Sequence, residues 1–261
     1  MERIAISGSS GFIAKHLSES LSGQFEKLDR SGFIPPNVDV VFDLSGYGNL
    51  YGQNDTAEIY KANLMRVIEE IKYITGMGGK LIYISTSSVT LPKQTEYSLS
   101  KKAAEEVLKV YARDRNLKVA IVRPFTIIGV GEQKEHLIPK LIDSCLHGTE
   151  MPFVPGPVHD FLDVEDFVGA LLSIKENGVF EGEIYQVGSG AQHTNTEVKD
   201  LVETLTGRKA NLRRVDEMRS YDTKEWRADT TRIRSLGWVP QKSLEDSIRG
   251  MIYEKTNTNN K

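Results

Sequence analysis

Tyr97 and Lys101 stand four residues apart in Tyr97-Ser98-Leu99-Ser100-Lys101. On a helix that spacing puts both side chains on one face, a single turn apart. An ammonium beside a phenol favours the tyrosinate and draws its pKa, about 10 when unperturbed, toward neutrality. A phenol tuned in this way exchanges a proton with a carbonyl being reduced or an alcohol being oxidised. Any helix pair can share the spacing, so the neighbouring residues decide its meaning. Upstream, Ser85-Thr86-Ser87-Ser88 follows the apolar run Lys80 to Ile84. Hydroxyls after a strand either hold a substrate oxygen or cap a solvated turn.

A second set of residues suits a cofactor. Gly8-Ser9-Ser10-Gly11-Phe12-Ile13-Ala14 follows Ile4-Ala5-Ile6 and opens an amphipathic stretch. A glycine-rich bend between strand and helix brings backbone N–H groups to a pyrophosphate, which then lies at the positive end of the helix dipole. That is how dinucleotides are held, so NAD or NADP is expected here, with Gly8, Ser10, Gly11, Phe12 and Ile13 around it. Asp29 ends the next strand about twenty residues on, where a carboxylate accepts hydrogen bonds from the ribose of NAD. Arg30 beside it would instead pair with the 2′-phosphate of NADP. Leu44, Ser45 and Gly46, after the third strand, are expected along the path from adenosine to nicotinamide.

These residues need a scaffold that gathers strand ends. Apolar β-rich runs recur at Ile4 to Ser7, Val38 to Leu44, Lys80 to Ser85 and Lys118 to Arg123. Helical patterns lie between them at Phe12 to Leu21, Ala57 to Ile74 and Ser98 to Arg113. The alternation predicts an α/β fold, a doubly wound parallel (Rossmann) sheet covered on both faces, whose carboxyl edge forms a ligand crevice. Beyond Pro124 the alternation loosens, and prolines punctuate a smaller α/β carboxyl-terminal substrate lobe. We expect the dinucleotide-binding domain to comprise 1–124 and 158–178, and the lobe 125–157 and 179–255. Residues 256–261 read as a disordered tail.

The 261 residues carry a net charge of −3, which argues against a nucleic-acid surface. The basic pairs Lys101-Lys102 and Arg213-Arg214 are too short to change that. One cysteine, Cys145, excludes an internal disulfide and fits a reducing cytoplasm. The start reads as neither a signal peptide nor a membrane span, so neither a membrane nor a nucleic acid is expected as a partner. His16, His136, His147 and His193 lack metal-ligand spacing, and no metal is expected.

The glycine bend, the hydroxyl cluster, the Tyr97/Lys101 pair and Arg123-Pro124 follow the order of the extended short-chain dehydrogenase/reductases. Over nearly its whole length the chain resembles their nucleotide-sugar branch, the epimerase/dehydratase family. Gly8, Gly11 and Ala14 match the GxxGxxG/A bend, and Tyr97 with Lys101 the YxxxK pair. Segments His159 to Asp166, Ala228-Asp229 and Leu236 to Pro240 resemble later family signatures. The resemblance implies catalysis by Thr86, Tyr97 and Lys101: Tyr97 moves the proton, Thr86 bonds the same oxygen, and Lys101 holds the nicotinamide ribose. It implies that Asn63 orders the active-site helix and that Pro124 lies at the cofactor. Substrate contacts follow for Ser87, Thr126, His159 and Arg219. His159 stands where the family has a diphosphate-clamping arginine, and Arg219 fits a second one. A homodimer through Ala57 to Ile74 and Ser98 to Arg113 is also implied, with Ala103, Ala104, Val107 and Leu108 either on its apolar face or against the sheet.

Departures narrow the activity. Sugar 4,6-dehydratases follow the catalytic threonine with an acid pair; here Ser87 and Ser88 carry no carboxyl. Elimination of water needs an acid at the leaving hydroxyl, which disfavours a dehydratase. The expected activity is NAD(P)-dependent reduction of a nucleoside-diphosphate 4-keto-sugar. The alternatives are an NAD-dependent 4-epimerase and, more remotely, a non-catalytic dinucleotide sensor.

Overall fold

The computed structural model describes residues 2–49, 52–215 and 223–258. In chain order the first elements are β1 (Ile4–Ser7), α1 (Phe12–Ser20), β2 (Glu26–Leu28), β3 (Val40–Asp43), α2 (Thr56–Tyr60), α3 (Arg66–Met77), β4 (Lys80–Ile84), α4 (Glu96–Arg115) and β5 (Lys118–Pro124). There follow β6 (Thr126–Ile128), α5 (Leu137–His147), β7 (Met151–Phe153), β8 (Val158–His159), β9 (Phe161–Asp163), α6 (Val164–Asn177) and β10 (Glu181–Val187). The chain closes with β11 (His193–Thr194), α7 (Asn195–Thr206), β12 (Leu212–Arg214), α8 (Thr231–Arg234) and α9 (Leu244–Thr258).

Two compact units result, one of Met1–Pro124, Val168–Val187 and Thr230–Val239, the other of the remaining segments. The first holds a six-stranded sheet in the order β10-β5-β4-β3-β1-β2, parallel throughout. This is the doubly wound α/β architecture, and its parallel sense brings the carboxyl ends of β1, β3, β4 and β5 to one edge. Ala5, Val41, Leu81, Tyr83, Val119 and Ile121, on one sheet face, meet Val67, Ile71 and Ile74 of α3 and Ala104 and Leu108 of α4. Strand residues two apart thus meet helix residues three and four apart. Ala104 and Leu108 are therefore sheet-facing core, not part of an outer apolar face.

Three expectations need correction. Residues 179–255 do not stay together as a lobe, because β10 is an edge strand of the sheet, with Ile184 opposite Ile121 and Val187 opposite Pro124. Only Tyr185 and Val187 of the seven β10 residues are buried, so most of the strand escapes the core and the run lacks an inner strand's continuous apolarity. Thr230–Val239 also returns to the sheet unit, where Trp238 lies against Gly169, whereas 158–167 belongs to the second unit. The helix expected over Ala57 to Ile74 is interrupted by a π-type turn, Lys61–Met65. Finally α9 extends to Thr258, inside the segment read as a tail; Thr256 bonds the carbonyls of Ile252 and Tyr253 through its hydroxyl.

The second unit contains three strand pairs, β6 with β9, β7 with β12 and β8 with β11. Ile138, Leu141, Ile142 and Cys145 of α5 form its core with Val198 and Val202 of α7 and Ile248 and Met251 of α9. Cys145 is packing, as its burial and lack of cysteine neighbours imply. Among the described residues no helix is long and apolar enough to cross a membrane.

Candidate active site

Gly8 closes β1 with φ +69°, a left-handed conformation in which a side chain is strained. A Cβ there would lie 2.8 Å from the Cα and N of Ser45. The bend is thus pressed against the chain leaving β3. Gly11 donates its N–H to the Gly8 carbonyl at 2.9 Å and precedes α1 in an extended conformation. No side chain caps α1 and no acid lies in its first turn, so its first N–H groups and partial positive charge are unopposed. That is the cradle a pyrophosphate requires. Ser10 and Gly11 are exposed, Phe12 and Ile13 half-buried. Asp29 and Arg30 follow β2 at the surface, and Asp29 accepts from the N–H and hydroxyl of Ser31 at 2.8 and 2.5 Å. Those bonds hold its carboxyl below the ordinary value.

Leu44, Ser45 and Gly46 leave β3 beside the bend. Ser45 donates through its N–H and hydroxyl to Asp43, at 3.0 and 2.7 Å. The π-type turn carries Asn63, which is fully buried. Its amide accepts from the Tyr47 N–H at 3.0 Å and donates to the Tyr47 carbonyl at 2.7 Å and to Ser100 at 3.0 Å. Asn63 therefore joins the loop after β3 to α4. An interrupted helix provides the register for that reach, and such turns recur at functional sites.

Thr95 caps α4 in a reciprocal box with Ser98, which places Tyr97 in the first turn and Lys101 in the next. The Thr86 hydroxyl, on the second residue beyond β4, lies beside the Tyr97 phenol and favours its ionised form. Thr86 in turn accepts from the N–H of Ser88 at 3.2 Å, its hydroxyl 3.0 Å from that of Ser88. Ser87 is buried within the single 3₁₀ turn Ser87–Thr90, and Pro124 ends β5, half-buried. Lys101, also buried, donates to the carbonyls of Ile84 at 2.8 Å and Ser45 at 3.1 Å and lies 4.8 Å above the Tyr83 ring.

The electrostatics of the pair differ from expectation. Tyr97 is half-buried, and burial of its phenol pushes the pKa up to about 12, with Thr86 opposing. Lys101 does not draw it down, because the ammonium is directed to two carbonyls. Burial lowers Lys101 itself to about 8, opposed chiefly by the Asp43 carboxylate.

The sequence reading missed Arg66 and Glu70. Charged residues one helical turn apart ordinarily face water, but both are buried. Arg66 bridges Asp43 at 2.7 Å and Glu70, and Glu70 accepts from Ser7 at 2.6 Å. Burial and the neighbouring Asp43 raise Glu70 to about 8 against the pull of Arg66. The ends of β1 and β3 are tied together by this cluster. Only the apolar flanks Val67 and Ile71 hinted at it.

In the second unit, Thr126 opens β6 with its hydroxyl 3.4 Å from Nδ1 of His159. The His159 ring lies 5.5 Å from that of Phe161 and 5.4 Å from that of Trp226. Beside it Asp160, also missed, accepts four bonds, from Ser189 N–H and hydroxyl, Gly190 N–H and Ala228 N–H, all between 2.6 and 3.0 Å. Arg219 lies outside the described residues. Among those described, no group of three or more His, Cys, Asp or Glu could hold a metal ion.

A model of the NAD dependent epimerase/dehydratase family matches residues 26–188, more than half of the chain. The protein belongs to that family. Over 170 residues it is 28% identical to low-salt glycan biosynthesis protein Agl12 of Haloferax volcanii, a match covering 64% of the chain and 54% of that relative. The chain thus spans about half of Agl12. It is 25% identical to GDP-6-deoxy-D-mannose reductase of Pseudomonas aeruginosa, with 97% of each covered. It is 27% identical to dTDP-glucose 4,6-dehydratase of Neisseria gonorrhoeae, over 84% of the chain and 67% of the relative. The solved structure of MoeE5 in complex with UDP-glucuronic acid and NAD has the same fold, with a TM-score of 0.89 at 21% identity, covering 98% and 99% of the two chains.

Proposed function

We propose that this protein is an NAD(P)-dependent reductase of a nucleoside-diphosphate 4-keto-sugar. The observation that carries the reading is the Thr86 hydroxyl set beside the Tyr97 phenol at the end of β4, with Lys101 one turn along and no carboxyl at Ser87 or Ser88. A phenol with a pKa near 12 is protonated at neutral pH, the state a carbonyl reduction needs in its proton donor. Tyr97 passes its proton to the carbonyl oxygen while Thr86 hydrogen-bonds the same atom. Lys101, still largely charged at neutral pH, would hold the nicotinamide ribose with its ammonium.

The uncapped start of α1 and the left-handed Gly8 fit a dinucleotide. Gly8, Ser10, Gly11, Phe12 and Ile13 would hold its pyrophosphate and Asp29 its adenosine ribose, with Arg30 placed to admit a 2′-phosphate. Leu44, Ser45, Gly46, Asn63, Pro124, Tyr97 and Lys101 would hold the nicotinamide half. Bound there, the nicotinamide supplies the hydride. Ser87, Thr126, His159 and Arg219 are the proposed contacts to the sugar and diphosphate.

Ser87 and Ser88 support reduction over dehydration, since neither is a general acid for a departing hydroxyl. The full-length match to a GDP-sugar reductase supports it as well. The test supplies NADH or NADPH with UDP-, dTDP- and GDP-linked 4-keto-sugars and follows loss of absorbance at the reduced nicotinamide. Release of water from a saturated nucleotide sugar, or interconversion of two hexoses without added cofactor, would overturn the proposal.

We also propose a homodimer through α3 and α4, whose outer surfaces expose Met65, next to α3, and Leu99 and Val110 on α4. Light scattering decides it, with a monomer as the adverse result.

A further inference from the structure

Helix α4 carries three polar side chains in one stripe, Tyr97, Lys101 and Glu105, each a turn from the next. Three successive residues at the end of β4 meet them. Lys101 donates to the Ile84 carbonyl at 2.8 Å, Ser85 donates its hydroxyl to Glu105 at 2.5 Å, and Thr86 lies beside Tyr97. Glu105 is fully buried and uses both carboxylate oxygens. Oε1 also accepts from Nε of Arg123 at 2.9 Å, and Oε2 accepts from its Nη2 at 2.5 Å. Arg123 is the penultimate residue of β5, and the Ser85 N–H donates to the Val122 carbonyl at 2.7 Å. One carboxylate therefore fastens α4 to the ends of two adjacent strands.

Stability alone gives little reason for this arrangement. A buried ion pair is often no more stabilising than apolar side chains of the same volume, and Glu105 sits beside the core residues Ala104 and Leu108. What a forked carboxylate–guanidinium pair adds is direction, since its hydrogen bonds tolerate neither a slide nor a rotation of the helix. A slide would part the two hydroxyls at the head of the stripe.

We propose that Glu105 is a positioning residue, which holds α4 in the register that brings the Tyr97 phenol to the Thr86 hydroxyl. The proposal rests on Tyr97 being the proton donor. Glu105 has a second effect through its charge. The groups that act on Lys101 are Asp43 at the end of β3, Arg66 and Glu70 on α3, and Glu105 on its own helix, with the Tyr83 ring beneath the ammonium. Glu105 is one of three carboxylates that raise the Lys101 pKa, so its removal lowers that pKa further.

The test compares Glu105→Gln, Ser85→Ala and Tyr97→Phe in the reductase assay. For Glu105→Gln we expect kcat to fall by about 10- to 100-fold, the size of a misplacement near 1 Å. KM for the keto-sugar and the dissociation constant of NADH stay unchanged, and the alkaline limb of the pH–rate profile moves to lower pH. Ser85→Ala, which leaves the Arg123 pair intact, gives a smaller fall in kcat without moving the limb. Wild-type kcat and an unmoved limb in Glu105→Gln would overturn the proposal, as would a change in KM alone. If Glu105→Gln does not fold, wild-type kcat in Ser85→Ala overturns it instead. Full activity in Tyr97→Phe would dispose of the proton-donor assignment itself.

Discussion

Lys101 donates its ammonium to the carbonyl of Ile84 at 2.8 Å, so a charged side chain of α4 is anchored on the last residue of β4. The contact explains why Lys101 tolerates burial and why it does not act on Tyr97 as the four-residue spacing suggests. Its ammonium is satisfied by backbone oxygens. Burial still disfavours the charge, and the pKa falls from 10.5 to about 8.

Reductase activity is therefore expected to decline above about pH 8 as Lys101 loses its proton. Stability should move the other way. The folded state binds this proton less tightly than the unfolded chain, so the group's contribution rises as pH climbs from about 8 toward 10.5. A pH–rate profile measured beside urea unfolding checks both signs. Parallel losses of rate and stability would contradict the assignment.

Tyr97→Phe removes the hydroxyl and leaves the ring. Turnover should fall by about 10²- to 10⁴-fold, the usual worth of a positioned acid. NADH affinity, followed by fluorescence titration, should hardly change, because the bend at Gly8 and the start of α1 are untouched.

Gly8→Ala and Gly23→Ala form a controlled pair, since both glycines have φ near +70°. Nothing lies within 4 Å of a Cβ on Gly23, so that substitution meets only the left-handed strain of about 1–2 kcal/mol. At Gly8 the Cβ also strikes the Ser45 backbone at 2.8 Å. Gly8→Ala should lower the unfolding midpoint more than Gly23→Ala and, alone of the two, abolish NADH binding.

Arg66→Leu strands the buried Asp43 carboxylate and removes a partner of Glu70, and should cost about 3–5 kcal/mol in urea unfolding. Glu70→Gln should be far milder, because Glu70, at about 8, is largely protonated at neutral pH already. Its folded pKa lies above the unfolded 4.5, so the stability it contributes is complete below pH 4.5 and is lost as pH rises toward 8. In Glu70→Gln that part of the pH dependence should vanish. A retained slope across the window would assign it to another group.

Several parts of the molecule were legible because local pattern and tertiary role coincide. The inner strands β1, β3, β4 and β5 are covered on both faces, so burial writes itself as an unbroken apolar run. Strand β10 was misplaced because an edge position leaves Glu181 exposed and Gly182, Glu183, Ile184 and Gln186 half-buried. Arg66, Glu70 and Glu105 escaped notice for a related reason. A charged residue on a helix usually faces water, and only the carboxyl ends of four strands converging above them give these charges buried partners.

The order of residues along the chain thus determined the sheet, the glycine bend and the spacing of Tyr97 and Lys101, since each depends on neighbours a few positions away. The three-dimensional packing decided the rest: which hydroxyl Tyr97 meets, where Lys101 directs its charge, and which carboxylates are buried. Those outcomes join residues from α3, α4 and four strand ends. Proton affinities answer to that assembled environment, because desolvation and nearby charge arise only once the chain has closed around the group.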